Sequence, residues 1–126
     1  MKKRIFLLLL FCASCLFSFG QSRIHHLVLF KLKPGILNED SRFTRAISLL
    51  EGLPKEIPEI LEFRAGPNFS NRPIASDYGL MVVLADEENL KKYLEHPSHK
   101  AVAAAWKEIA EWSIADFWSA SSSASK

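Results

Sequence analysis

The segment Arg23–Leu32, RIHHLVLFKL, carries apolar side chains on both of its alternating faces. In an extended strand Ile24, His26, Val28, Phe30 and Leu32 point one way, and His25, Leu27, Leu29 and Lys31 the other. A second segment, Tyr78–Ala85 (YGLMVVLA), repeats this two-sided pattern. A sheet with one face in water shows one polar face. These two strands instead ask for cover on both sides of the sheet they build. Helices can supply one cover, and the other must come from outside the sheet's own layer.

The helices are legible between the strands. Asn38–Leu53 is predicted helical, with Asn38 as its cap and Glu39 and Asp40 at its positive N-terminus. Phe43, Ala46, Ile47 and Leu50 fall at i, i+3, i+4 and i+7, one buried stripe. Gly52 and Pro54 mark its end. Ile60–Phe69 reads as a strand with a break or bulge at Gly66-Pro67. Asp86 caps a short helix carrying Leu90, Tyr93 and Leu94 on one side. Pro97 stops that helix and opens another, which buries Val102, Ala105, Trp106 and Ile109. Trp112–Trp118 is the last strand. The order is β-α-β-β-α-β with the second helix broken at Pro97, a ferredoxin-like α+β fold with an antiparallel sheet. Leu27, Leu29, Met81 and Val83 would form an apolar patch on its uncovered face. The economical cover is a second copy, so a homodimer is expected; a different protein is the alternative.

Residues 1–20 read as a signal peptide. Lys2, Lys3 and Arg4 precede the apolar run Ile5–Phe17, and Ser18 and Gly20 suit cleavage before Gln21. The run is short for a membrane span. Cleavage before Cys15, giving a lipoprotein, is an alternative. The chain is therefore expected to be exported, periplasmic or secreted. It meets no membrane in its mature form unless lipidated at Cys15. Loss of three cations leaves 13 basic against 14 acidic residues, a formal charge of −1 in place of +2. That balance gives no electrostatic case for nucleic acid. Cys12 and Cys15 are the chain's two cysteines, so the mature part has neither disulfide nor thiolate nucleophile. Residues 21–118 form one domain, and the Ser-rich stretch 119–126 is expected to fray.

The chemistry-bearing residues cluster in Tyr93-Leu94-Glu95-His96-Pro97-Ser98-His99. Tyr93 and His96 end one helix, and His99 lies in the first turn of the next. A helix N-terminus disfavours imidazolium, so His99 is a candidate base near neutral pH. Tyr93 is a candidate donor to an oxygen that gains negative charge. His26 shares a strand face with Val28 and Phe30 and would project between sheet and helices as an orienting group. The alternative reading is structural: His96 satisfies the helix break, Tyr93 is a core aromatic, and His26 is a satisfied buried histidine. A metal bound by His26, His96 and His99 is a third option. No carboxylate or thiolate stands at ligand spacing beside them, and no metal or cofactor is expected. Phosphate-loop and nucleophile-elbow motifs are absent from the sequence.

Several stretches together resemble the stress-responsive A/B barrel (Dabb) family. They are His26–Lys33, Ile57-Pro58-Glu59-Ile60, Gly66-Pro67-Asn68, Asp77-Tyr78-Gly79-Leu80, Tyr93–His99 and Asp116-Phe117. The resemblance runs from about Ile24 to Trp118, and Tyr-x-x-His-Pro-x-His is its most specific part. It implies a dimeric α+β barrel. Some plant members are stress-induced stable proteins, and one is a cofactor-free polyketide cyclase. By motif, that cyclase's catalytic Tyr and His match Tyr93 and His99, and its strand-one pocket His matches His26. A pocket His common on the third strand is replaced here by Tyr78. The expectation is a pocket for a small apolar or aromatic molecule near His26, Val28, Phe30, Tyr78, Tyr93, His96 and His99. The chemistry would be cofactor-free cyclase, lyase or isomerase catalysis. A non-enzymatic stress-related or structural dimer without a ligand is the alternative.

Overall fold

The computed structural model describes residues 21–119. The expected signal segment with Cys15 and the stretch beyond Ser119 lie outside the described residues. The elements are β1 (Arg23–Leu32), α1 (Ser41–Glu51), α2 (Leu53–Glu56), β2 (Glu62–Pro67), β3 (Tyr78–Leu84), α3 (Glu87–Glu95), α4 (Pro97–Ile109) and β4 (Ala110–Ser119). The four strands form one antiparallel sheet in the order β2-β3-β1-β4, the ferredoxin-like arrangement.

Register sorts the side chains. His26 lies opposite Val82 on β3 and Asp116 on β4; Phe30 lies opposite Tyr78 and Trp112. Directly paired residues share a face. The helix-facing side therefore carries Ile24, His26, Val28 and Phe30 of β1, with Leu80, Val82 and Leu84 of β3. Against it α1 sets Phe43, Ala46 and Leu50, α3 sets Tyr93, and α4 sets Val102, Trp106 and Ile109. Trp106 is the keystone: it stacks on Phe30 at 3.9 Å and meets Phe43 edge-on at 5.7 Å. Such aromatic pairs add about 0.5–1.5 kcal/mol each beyond the area they bury.

The other face carries Leu27 and Met81, both half-buried, and Leu29, which is 41% exposed; Val83 on the same face is buried. His25 stacks on Phe117 there at 5.3 Å and reaches Ser119 Oγ at 2.7 Å. The helix layer also stops short of β4. Trp112, Ile114 and Trp118 lie on the helix-facing side of that edge strand and remain partly exposed.

Several local expectations change. The cap of α1 is Asp40, which accepts from the Arg42 N–H at 2.9 Å; Asn38 sits in the preceding turn, closed by Asp40 N–H to Leu37 O at 3.0 Å. Pro54 does not end the helical region: it falls in the first turn of α2, where its missing N–H costs nothing. Gly66 and Pro67 make no bulge and pair in register with Gly79 and Tyr78. Pro67 is tolerated because β2 is an edge strand and Pro67 is its last residue. β4 begins before Trp112 and runs through Ser119, the first residue of the stretch expected to fray. Among the described residues no helix is long and apolar enough to cross a membrane.

Candidate functional site

Between the sheet and the α3–α4 pair lies a cavity of about 180 Å³. β1 lines it with His26, Val28 and Phe30, and α4 with His99, Val102, Ala103 and Trp106. The α4 residues are i, i+3, i+4 and i+7, so one helix face forms a wall. Leu50, Leu80, Tyr93, Leu94, Trp112 and Ile114 complete it. Leu94, Trp112 and Ile114 are also partly exposed, which places the mouth between edge strand β4 and the helix break.

The polar groups gather at one end. The His26 and Tyr93 rings meet edge to face at 5.5 Å, and Tyr93 and His99 lie 4.6 Å apart. His26 is only 2% exposed, and its Nδ1 lies 2.6 Å from Asp116 Oδ1. The carboxylate can only accept, so Nδ1 carries the proton. His99 Nδ1 lies 3.1 Å from the Leu94 carbonyl oxygen, which likewise can only accept. Both imidazoles therefore commit Nδ1–H to a neighbour and keep Nε2 as the second functional nitrogen. Burial pushes His99 below its ordinary 6.5. The Leu94 hydrogen bond opposes this, and positive charge on His26 or His96 adds to it. His99 is thus a neutral base at neutral pH. Burial pushes the Tyr93 hydroxyl well above its ordinary range, so it stays protonated and can donate.

Two fully buried polar atoms belong to residues that line the cavity and have no hydrogen-bond partner among the described residues: Tyr93 Oη and Trp106 Nε1. Leaving such a group unpaired costs about 1–3 kcal/mol.

Two expected site residues lie elsewhere. Tyr78 is on the same face of the sheet but at its far end, beyond Trp106. Its hydroxyl donates to Glu51 Oε1 at 3.3 Å; burial, then the Glu51 charge and hydrogen bond, push it up to about 12. It lines a separate polar hollow with Asn38, Glu51 and Asp77. His96 caps α4, its Nδ1 accepting from the Ser98 N–H at 3.1 Å, and does not line the cavity. Sequence reasoning missed Asp116 as the partner of His26. Register between β1 and β4 was the signal. Among the described residues no group of three or more His, Cys, Asp or Glu is placed to hold a metal ion.

Comparison with known proteins fits this architecture. A family model, the stress responsive A/B barrel domain, matches residues 24–119. An uncharacterized protein of Streptomyces coelicolor is 39% identical over 94 residues, 75% of this chain and 97% of its own length. A dimeric ferredoxin-like protein of unknown function from Thermobifida fusca superposes with a TM-score of 0.68 at 23% identity, covering 81% of this chain and 94% of the other. A dimeric protein of unknown function and ferredoxin-like fold from Bacteroides fragilis gives 0.65 at 26% identity, covering 79% and 97%. A hydroxynitrile lyase from Passiflora edulis gives 0.69 at 11% identity, covering 82% and 97%, and shares the fold alone. On the extent of the domain match and the full-length bacterial relative, the chain belongs to the stress responsive A/B barrel (Dabb) family.

Proposed function

We propose that this protein binds a small, mostly apolar or aromatic carbonyl compound in the His26–Tyr93–His99 cavity and carries out cofactor-free acid–base chemistry on it. The observation that carries the reading is the pair of histidines. Both donate Nδ1–H to a fixed acceptor in a mostly apolar cavity, and the ring of Tyr93, whose buried hydroxyl has no partner among the described residues, packs against both. The size fits a single ring, since an engineered apolar cavity of about 150 Å³ holds benzene. His99 Nε2 takes a proton from the carbon beside the carbonyl. The released electron pair forms the carbon–carbon double bond, the carbonyl pair moves onto oxygen, and Tyr93 Oη–H stabilises that oxygen. Returning the proton elsewhere gives an isomerisation; expelling a leaving group gives a lyase reaction; attack on a second carbonyl gives a cyclisation.

The working form in this proposal is an exported homodimer. Structural neighbours from three bacteria are described as dimeric, and the Leu27, Leu29 and Met81 face supplies the apolar surface. Export rests on the Ile5–Phe17 run after three cations.

The test uses acetophenone in D2O, with hydrogen–deuterium exchange at its methyl group followed by NMR. The wild type should exchange it about 10²-fold faster than His99→Ala, the usual scale of a general base. Equal rates in the two proteins remove His99 as base. Native mass spectrometry of the same sample reports stoichiometry, and a monomer mass removes the dimer.

A further inference from the structure

His26 and His99 reach the cavity from opposite layers of the fold. His26 stands on β1 in the sheet, on the face it shares with Val28 and Phe30. His99 stands on α4, one turn before Val102 and Ala103. The Tyr93 ring packs against both, 5.5 Å from the first imidazole and 4.6 Å from the second. Burial lowers the basicity of His99, and charge on His26 adds to that, so the two rings lie within electrostatic reach. A flat molecule lying parallel to the layers turns one face to the sheet and the other to the helices, and one histidine stands on each side.

The two imidazoles are set alike. Each holds its Nδ1–H on a fixed acceptor: Asp116 Oδ1 at 2.6 Å for His26, the Leu94 oxygen at 3.1 Å for His99. Neither Nε2 has a hydrogen-bond partner among the described residues, yet neither is one of the fully buried unpartnered atoms. Each Nε2 therefore keeps some open surface. His26 as a whole is 2% exposed, and the cavity is the open space that its ring borders. The two acceptors differ in charge. The Asp116 carboxylate balances the cation that His26 becomes when Nε2 also holds a proton. The Leu94 carbonyl is neutral. Register fixes Asp116 in turn, directly opposite His26 on β4.

We infer that His26 and His99 work as an opposed acid–base pair that inverts the configuration of a carbon beside a carbonyl, with Asp116 as the positioning residue for His26. The substrate class is an aryl ketone whose α-carbon is stereogenic and bears one hydrogen. The inference rests on the proposed carbonyl pocket. His99 Nε2 removes that hydrogen as a proton from the helix side. The C–H electron pair forms the carbon–carbon double bond, and the carbonyl pair moves onto oxygen, leaving a planar enolate. His26, protonated on both nitrogens, delivers its Nε2 proton to the sheet side of the same carbon, and the oxygen pair re-forms the carbonyl. Solvent water then takes the proton from His99 and returns one to His26. The mirror-image substrate runs through the same steps with the histidines exchanged. A single base would return the proton to the face it left.

The probe is 2-methylindanone, a flat aryl ketone with one hydrogen on its stereogenic α-carbon. Each enantiomer is incubated with the protein in D2O, and chiral chromatography with mass detection follows configuration and deuterium together. The wild type should racemise either enantiomer. Early in the reaction the inverted product should carry deuterium while the remaining substrate stays unlabelled. His99→Gln should abolish inversion and leave one enantiomer exchanging with retention, and His26→Gln should leave the other. Asp116→Asn should slow proton removal about 10²-fold on the His26 side alone, the scale of a general base. The wild-type labelling pattern stands whether or not a variant folds well. Deuterium entering the wild-type substrate with retention overturns the opposed pair and leaves the carbonyl pocket standing. Equal slowing of both enantiomers in Asp116→Asn overturns the role of Asp116. No reaction of this ketone where acetophenone exchanges also overturns the inversion. Failure of both ketones with the wild type removes the carbonyl pocket itself, and this inference falls with it.

Discussion

Tyr93 and Tyr78 are both buried beneath helices on the same side of one sheet, and both hydroxyls are pushed upward by burial. They differ in what surrounds the oxygen. Tyr78 finds Glu51 at 3.3 Å and belongs to a polar hollow, so its hydroxyl serves the fold. Tyr93 finds two imidazoles and hydrocarbon, and among the described residues no partner for its hydroxyl. Trp106 separates the two ends and lies 5.5 Å from Tyr78. The contrast teaches that burial alone does not mark a functional tyrosine. An oxygen that the fold buries and leaves unsatisfied does so more sharply.

The most severe way to break the contrast is to remove its divider. Trp106→Ala should cost about 3–5 kcal/mol, as truncation of a fully buried aromatic does, and chemical denaturation would measure it. A loss below about 1 kcal/mol would mean that the two ends do not share a core. Tyr93→Phe sharpens the contrast, because activity and stability should part. Acetophenone exchange should fall about 10²-fold, the scale of one lost donor to a developing oxyanion. The melting temperature should stay level or rise, since an unsatisfied buried hydroxyl is gone. A drop in melting temperature with exchange unchanged would assign Tyr93 to structure.

The third effect is smaller and concerns pH. His99 binds its proton more weakly folded than unfolded, so the unfolded chain takes up more protons as pH falls below about 6.5. His99 therefore contributes full stability above that value and loses it as pH drops toward its folded value. Denaturation at pH 7.5 and pH 5 should show this loss, and His99→Gln should reduce it. An undiminished loss in the variant would place the proton uptake on other groups. The smallest effect is expected at the other tyrosine: Tyr78→Phe removes a long hydrogen bond and should cost about 0.5–1 kcal/mol, with acetophenone exchange unchanged. Impaired exchange would connect the polar hollow to the cavity.

Much of the architecture was readable from local pattern. Arg23–Leu32 forms β1 with the bounds its alternation gives, and Asp86 and Pro97 open α3 and α4 as their chemistry demands. The errors share a physical origin. Asn38 and Asp40 are both competent caps, and the turn closed on Leu37 decides between them. Tyr78 has the expected face, yet alternation says nothing about distance along a strand, and it lies beyond Trp106. Asp116 was visible as a residue, but its meeting with His26 depends on the register of two strands 90 positions apart. The orphan Trp106 N–H has no local signature, because it arises from which side chains fail to reach it.

The break between α3 and α4 has a consequence for proton placement. In a continuous helix the Leu94 carbonyl would accept the Ser98 N–H, four residues on. Here Pro97 interrupts the ladder and that N–H goes to His96 Nδ1. The freed Leu94 oxygen receives His99 Nδ1 and selects one of the two neutral imidazole forms. A residue without a backbone proton, two places upstream, thereby decides which ring nitrogen of His99 holds its lone pair. A variant that healed the helix would take the Leu94 oxygen away from His99 and leave the tautomer of the base unset.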